Sequence, residues 1–183
     1  MGPRFRGDDT VFCGGSKGMT RPLRAGIIAA VAALVLDQAS KLWLLYVFDI
    51  ARRGRVQVTP FFDIELAWNI GISFGWFQND SLITQIVLTV VKAAAVIMLA
   101  LWMAWSRTML ATIALGLIIG GAIGNAIDRF AYGAVVDFAL FHVDIAGKTF
   151  NWYVFNLADV AIVAGVAALL YDSFLGVPAA NAP

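Results

Sequence analysis

Four long apolar runs set the plan of this chain. They extend from about Ala25 to Phe48, Leu82 to Trp105, Met109 to Ile127 and Tyr153 to Tyr171. A helix needs roughly 20 apolar residues to cross the hydrocarbon core of a bilayer, so each run predicts a transmembrane helix. The first run is too long and too charged for a cleaved signal peptide, and no small-x-small site follows it. Between runs one and two, VQVTPFFDIELAW (residues 56–68) mixes β-branched and aromatic residues in partial alternation. That pattern predicts a small antiparallel sheet at the membrane surface. Between runs three and four, GAVVDFALFHV (residues 133–143) alternates loosely, as in a short strand or a partly buried segment. The expected fold class is an all-α membrane protein with four transmembrane helices and a small antiparallel β-sheet.

Composition agrees with that plan. Of 183 residues, 61% are hydrophobic and only 14% are charged, against about 25% charged in a soluble domain. Mean hydropathy is +0.81. A net charge of +1 provides no basic field for nucleic acid. The lone Cys13 cannot form an internal disulfide, and the lone His142 excludes any site that needs two histidines. Residues 1–18 and 176–183 are polar or small and aperiodic, and are expected to be disordered tails around a single membrane-embedded domain, residues 19–175.

Polar residues inside such runs call for a functional or pairing explanation, because desolvating charge in a bilayer is costly. Asp37 and Lys41 stand at i, i+4 in the first run and can neutralise each other on one helix face. Lys92, near the middle of the second run, is expected to face the bundle and approach Asp37. In the third run Gly116, Gly120, Gly124 and Asp128 recur every fourth residue, a small-residue stripe that allows close helix approach. Gly121, Asn125 and Arg129 form the neighbouring row. Asn156 and Asp159, at i, i+3, open the fourth run and point the same way. In the first loop, Asn69 offers both hydrogen-bond donors and acceptors, and Gly71 permits close approach of a ligand. Taken alone, Asn69 reads as a turn residue and Asp159 as a helix-start charge favoured by the dipole.

Four spans put both termini on one side. Lys and Arg divide six (Arg4, Arg6, Lys17, Arg21, Arg24, Arg107) against five (Arg52, Arg53, Arg55, Arg129, Lys148), so charge bias does not fix the orientation. In any four-span arrangement Asp128, Asp137 and Asp159 share one membrane side. Two carboxylates held close in a low-dielectric site share a proton, and such a pair can activate water while polarising a carbonyl. Asp137 lies between Val136 and Phe138, and Asp159 between Ala158 and Val160, apolar settings that favour these two as the pair. Asp128, with Arg129 beside it and Asn125 one turn back, reads as an anchor.

DQASK (37–41), NIGISFG (69–75), GGAIGNAIDR (120–129), GAVVDF (133–138) and FNLADVAI (155–162) occur in this order across the four runs. In that arrangement the chain resembles bacterial lipoprotein signal peptidase, or signal peptidase II, over about Arg24 to Leu170. The resemblance implies a membrane aspartic endopeptidase with a periplasmic sheet. Such an enzyme removes signal peptides from prolipoproteins by cutting before the cysteine that carries a diacylglyceryl group. It also implies Asp137 and Asp159 as the catalytic dyad. Asn69, Gly71, Asn125, Arg129 and Asn156 then line the substrate cleft, and Asp37, Lys41 and Asp128 are structural. Both termini would be cytoplasmic in the inner membrane, with the site near the periplasmic face. No metal or organic cofactor is implied; the partners are the lipid-modified substrates and membrane lipid. Four features depart from the family: Lys92, Ser73 where Ala is common, a slightly long segment between the two aspartates, and the N-terminal extension. A small proton-coupled transporter or channel subunit is the alternative, and it predicts a continuous polar path across the bilayer. A scaffold, the third reading, predicts that Asp137 and Asp159 are dispensable.

Overall fold

The computed structural model describes residues 19–70 and 82–175, so Gly71 and both expected tails lie outside the described residues. The first helix, α1 (Arg21–Leu42), starts where Thr20 accepts a hydrogen bond from Leu23 N–H, with Pro22 in the first turn. A π-helical turn, Trp43–Val47, continues it. A short α2 (Ile50–Arg53) leads into strands β1 (Val56–Thr59) and β2 (Phe62–Asn69). Next come α3 (Leu82–Trp105), α4 (Met109–Tyr132), β3 (Val135–Ile145), β4 (Lys148–Asn151) and α5 (Leu157–Leu175).

The helix α4 is central. Of its apolar stretch 61% is buried, against 22% for the first span and 17% for the last, so the others pack around it. Its glycines explain how. A Cβ on Gly116 or Gly120 would run into the backbone carbonyl of Gly26 or Ala30 in α1, and one on Gly121 would meet that of Ala158 in α5. One stripe of α4 therefore receives α1 and the adjacent row receives α5. In lipid, where apolar burial drives little association, such close backbone contact carries the packing.

The sheet is antiparallel in the order β1-β2-β3-β4. Ala67 pairs with Asp137 and Asn69 with Val135, so paired side chains present Asn69 and Asp137 on one face. Arg55, Asp63 and His142 bind this sheet together: the Asp63 carboxylate accepts from Arg55 Nε, and His142 Nε2 lies 3.2 Å from it. Burial favours the neutral form of Asp63, but the adjacent Arg55 and His142 outweigh it and hold the carboxyl below its ordinary value.

Three expectations change. The third span does not stop at Ile127. Its helix continues to Tyr132 and closes on Gly133, whose φ of 74° suits a left-handed cap, so Asp128 sits inside the helix one turn from its end. The last helix begins at Leu157 and not at Tyr153, because Phe155 is held as an isolated bridge to Ala139, with N–H···O distances of 2.8 and 3.0 Å. Lys92 does not pair with Asp37: it is exposed on α3, and Asp37 is buried against other partners. Among the described residues, three helical stretches are long and apolar enough to cross a membrane, Arg21–Val47, Met109–Tyr132 and Leu157–Phe174, and the apolar Val90–Trp105 lies within α3.

Candidate active site

Lys41 anchors the polar interior. Its ammonium lies 2.7 Å from Asp37 Oδ2, 2.7 Å from Asp128 Oδ2 and 3.1 Å from Asn125 Oδ1. An ammonium has three protons to donate, and three acceptors surround this one. Lys41, Asp37 and Asp128 are all essentially inaccessible. Removing one member of such a buried set leaves an uncompensated charge at a cost of about 3–5 kcal/mol.

The two carboxylates reach outward from this centre. Asp37 Oδ1 accepts from Ala158 N–H at 2.9 Å, so α1 caps the N-terminus of α5. Asp128 Oδ2 accepts from Val136 N–H at 3.2 Å, fixing the start of β3. Gln38 Nε2 donates to Asp128 Oδ1 at 2.9 Å and to the Gly124 carbonyl at 3.1 Å. The sequence reading overlooked Gln38. Its signal was an uncharged amide inside an apolar run, beside a carboxylate.

Asp137 and Asp159 meet across Asn156. Asn156 Nδ2 donates to Asp137 Oδ1 at 2.6 Å, and Asn156 Oδ1 accepts from Asp159 N–H at 3.0 Å. In return Asp159 Oδ2 accepts from Asn156 N–H at 3.2 Å. This reciprocal capping box starts α5. Asn125 completes the circle: its Nδ2 donates to Asp159 Oδ1 at 2.9 Å, and its Oδ1 accepts from Asn156 Nδ2 at 3.0 Å. Asn69 Nδ2 reaches Asp137 Oδ2 at 3.0 Å from β2. Arg129, half-buried, donates to the backbone carbonyl of Asn125 at 3.1 Å.

Asp137 also lines an open cleft of about 400 Å³ with Ala67, Asn69, Tyr153 and Val154. Tyr153 and Val154 were not singled out by sequence, because they looked like the start of a span. Burial pushes the Asp137 carboxyl above its ordinary value. The amides of Asn69 and Asn156 and the charge of Lys41 oppose that rise, while the nearby Asp159 charge adds to it. The arrangement thus brings together two carboxylates, one of which holds its proton more tightly than an ordinary aspartate, at the edge of a cleft, as general acid–base chemistry on a carbonyl requires.

The family model described as signal peptidase (SPase) II matches residues 29–175. The chain belongs to the signal peptidase II family. It is 75% identical over 162 residues to a lipoprotein signal peptidase of Nitrobacter hamburgensis, covering 88% of this chain and 99% of that relative. It is 69% identical to one of Rhodopseudomonas palustris strain TIE-1, with the same coverage. A solved bacterial membrane enzyme shares the fold at a TM-score of 0.67 and 24% identity, over 82% of this chain and 93% of the other. A second solved bacterial membrane enzyme gives 0.65 and 26%, over 83% and 91%. The chain is accordingly a membrane-embedded lipoprotein-processing peptidase of aspartic type, multi-pass in the inner membrane.

Proposed function

We propose that Asp137 and Asp159 are the catalytic dyad, and that the substrate is a prolipoprotein cut just before its diacylglyceryl-modified cysteine. The observation that carries this reading is the Asn156 bridge, which ties the two carboxylates into one hydrogen-bonded unit beside the cleft. In this reading one carboxylate takes a proton from water as it attacks the scissile carbonyl carbon, while the other gives its proton to the carbonyl oxygen. The resulting diol collapses as the leaving nitrogen takes up the proton that came from water, and the C–N bond breaks. A diol proton returns to the second carboxylate, so the dyad is regenerated.

In this proposal four spans, with α3 the second, leave both termini on one side; that side is taken as the cytoplasm and the dyad's rim as periplasmic, as the family resemblance implies. The single domain is residues 19–175. The diacyl chains stay in lipid while the peptide enters at the rim, where water also has access. Asn69, Asn125, Arg129 and Asn156 hold the peptide and the dyad. Gly71 is assigned to the cleft by its motif alone.

The test is cleavage of a diacylglyceryl-modified prolipoprotein by purified wild type, Asp137→Asn, Asp159→Asn and Asp128→Asn. The first two variants are expected to fold and to lose cleavage. Cleavage surviving in folded Asp137→Asn but not in Asp128→Asn would leave the activity intact and overturn the pair.

A further inference from the structure

We propose that Lys41 is a positioning residue that, through the amide of Asn125, makes Asp159 the ionised base of the dyad and leaves the shared proton on Asp137. The inference rests on the dyad reading above and deepens it.

The argument is one of donors that have no choice. A lysine ammonium can only donate. The Asn125 atom 3.1 Å from Lys41 Nζ must therefore be its oxygen. That orientation turns the Asn125 NH2 towards Asp159 Oδ1, 2.9 Å away, which must accept. Asp159 Oδ2 faces the backbone N–H of Asn156, which also can only donate. Both oxygens of Asp159 are thus committed as acceptors, at the N-terminus of a helix where negative charge is favoured. Asp137 differs. Its Oδ1 accepts from Asn156, whose amide is itself oriented by Asp159 N–H. Its Oδ2 faces Asn69, a side chain with both donor and acceptor atoms, at the cleft. Asp137 Oδ2, which accepts from Asn69 Nδ2 at the cleft edge, still has a position from which a proton can be donated into the cleft.

The hydrolytic step then has assigned carriers. Asp159 takes the proton of the attacking water and later delivers it to the leaving nitrogen, while Asp137 protonates the carbonyl oxygen and recovers a proton from the diol. The titratable and charged groups gathered here are Asp37 and Lys41 from α1, Asp128 and Arg129 from α4, Asp137 from β3 and Tyr153 at the cleft. Of these cations, Lys41 is the one bonded to the Asn125 amide oxygen.

The experiment is the pH profile of kcat/KM on a lipid-modified prolipoprotein, for wild type, Lys41→Met and Asn125→Leu, each checked for folding by thermal melting in detergent. Asn125→Leu breaks the relay while leaving Lys41 between Asp37 and Asp128, so an unmoved limb in that variant overturns the proposal even if Lys41→Met does not fold. Losing a donor to an ionised carboxylate makes it hold a proton up to a higher pH, so the acidic limb is expected to move up by about one to two pH units. A limb that stays in place with a lowered maximum, in folded protein, would make Lys41 merely structural and overturn the proposal, as would a limb that moves down. Failure of the dyad reading would look different: folded Asp137→Asn or Asp159→Asn would keep cleaving.

Discussion

Asn156 and Asp159 cap one another, side chain to backbone in both directions, at 3.0 and 3.2 Å. A capping box ordinarily only starts a helix. Here the same Asn156 amide also holds Asp137 at 2.6 Å, so helix initiation and the geometry of the proposed dyad share one side chain. The two roles separate by substitution. Asn156→Ser keeps a good cap and is expected to melt near the wild type, whereas Asn156→Ala loses about 1 kcal/mol of cap stability. Both are expected to lose activity on the order of 10²-fold, because neither reaches Asp137. Thermal melts in detergent read beside cleavage rates check this, and an active Asn156→Ser would show that the tether is dispensable.

Asp137 is expected to trade stability for chemistry. Its carboxyl holds its proton more tightly than an ordinary aspartate because it is buried. A raised acid stabilises the fold only while protonated. Its contribution is present below the ordinary carboxylate range and is lost as pH rises from there through the raised value. Asp137→Asn removes that loss. At neutral pH it is expected to melt at or above the wild-type temperature while being inactive, and the gain is expected to vanish near pH 3. A lower melting temperature at neutral pH would contradict this.

The Asp63 carboxyl has the opposite sign. Held below its ordinary value by Arg55 and His142, it stabilises the sheet above the ordinary carboxylate range, and that support disappears as pH falls through the lowered value. Asp63→Asn is expected to be less stable than wild type at pH 7, with the two melting curves converging in acid. A constant gap between them across that range would show that charge is not what Asp63 contributes.

Gly124 tests the packing. A Cβ there would sit 2.6 Å from Asp37 Oδ2, the oxygen that also receives Lys41. Gly124→Ala is expected to destabilise by about 1–3 kcal/mol, the usual cost of overpacking, and to reduce cleavage because the Lys41 centre shifts. Gly133→Ala has open space around it but a φ of 74°, so it is expected to destabilise without reaching the dyad. Cleavage per folded molecule separates the two variants.

Much of this was legible along the chain because it is periodic or local. The apolar runs, the glycine rows of α4, the Asp37–Lys41 spacing and the common direction of Asn156 and Asp159 all follow from helical repeats. What failed was azimuth and long-range partnership. Lys92 and Asp37 were matched by depth, but depth along two helices says nothing about whether their faces meet. Asp37 had a closer partner one turn away and another 121 residues on, at Ala158. Hydropathy starts the last helix at Tyr153, because it cannot tell a strand-like bridge at Phe155 from a helical turn. Sequence places Asp128 at the end of its helix because the following residues, including Phe130, exposed in the structure, read as loop.

The bond from Ala158 N–H to Asp37 Oδ1 also bears on the order of biogenesis. The chain is made from its N-terminus, so α1 enters the bilayer first and α5 last. Until α5 arrives, Asp37 lacks its far partner, Asn125 lacks Asn156, and Asp159 has not joined the assembly. The final span is therefore the one that completes this hydrogen-bonded cluster. With Asp137 and Asp159 as the proposed dyad, a chain stalled before α5 holds Asp137 without its partner, so activity is expected only once insertion is finished.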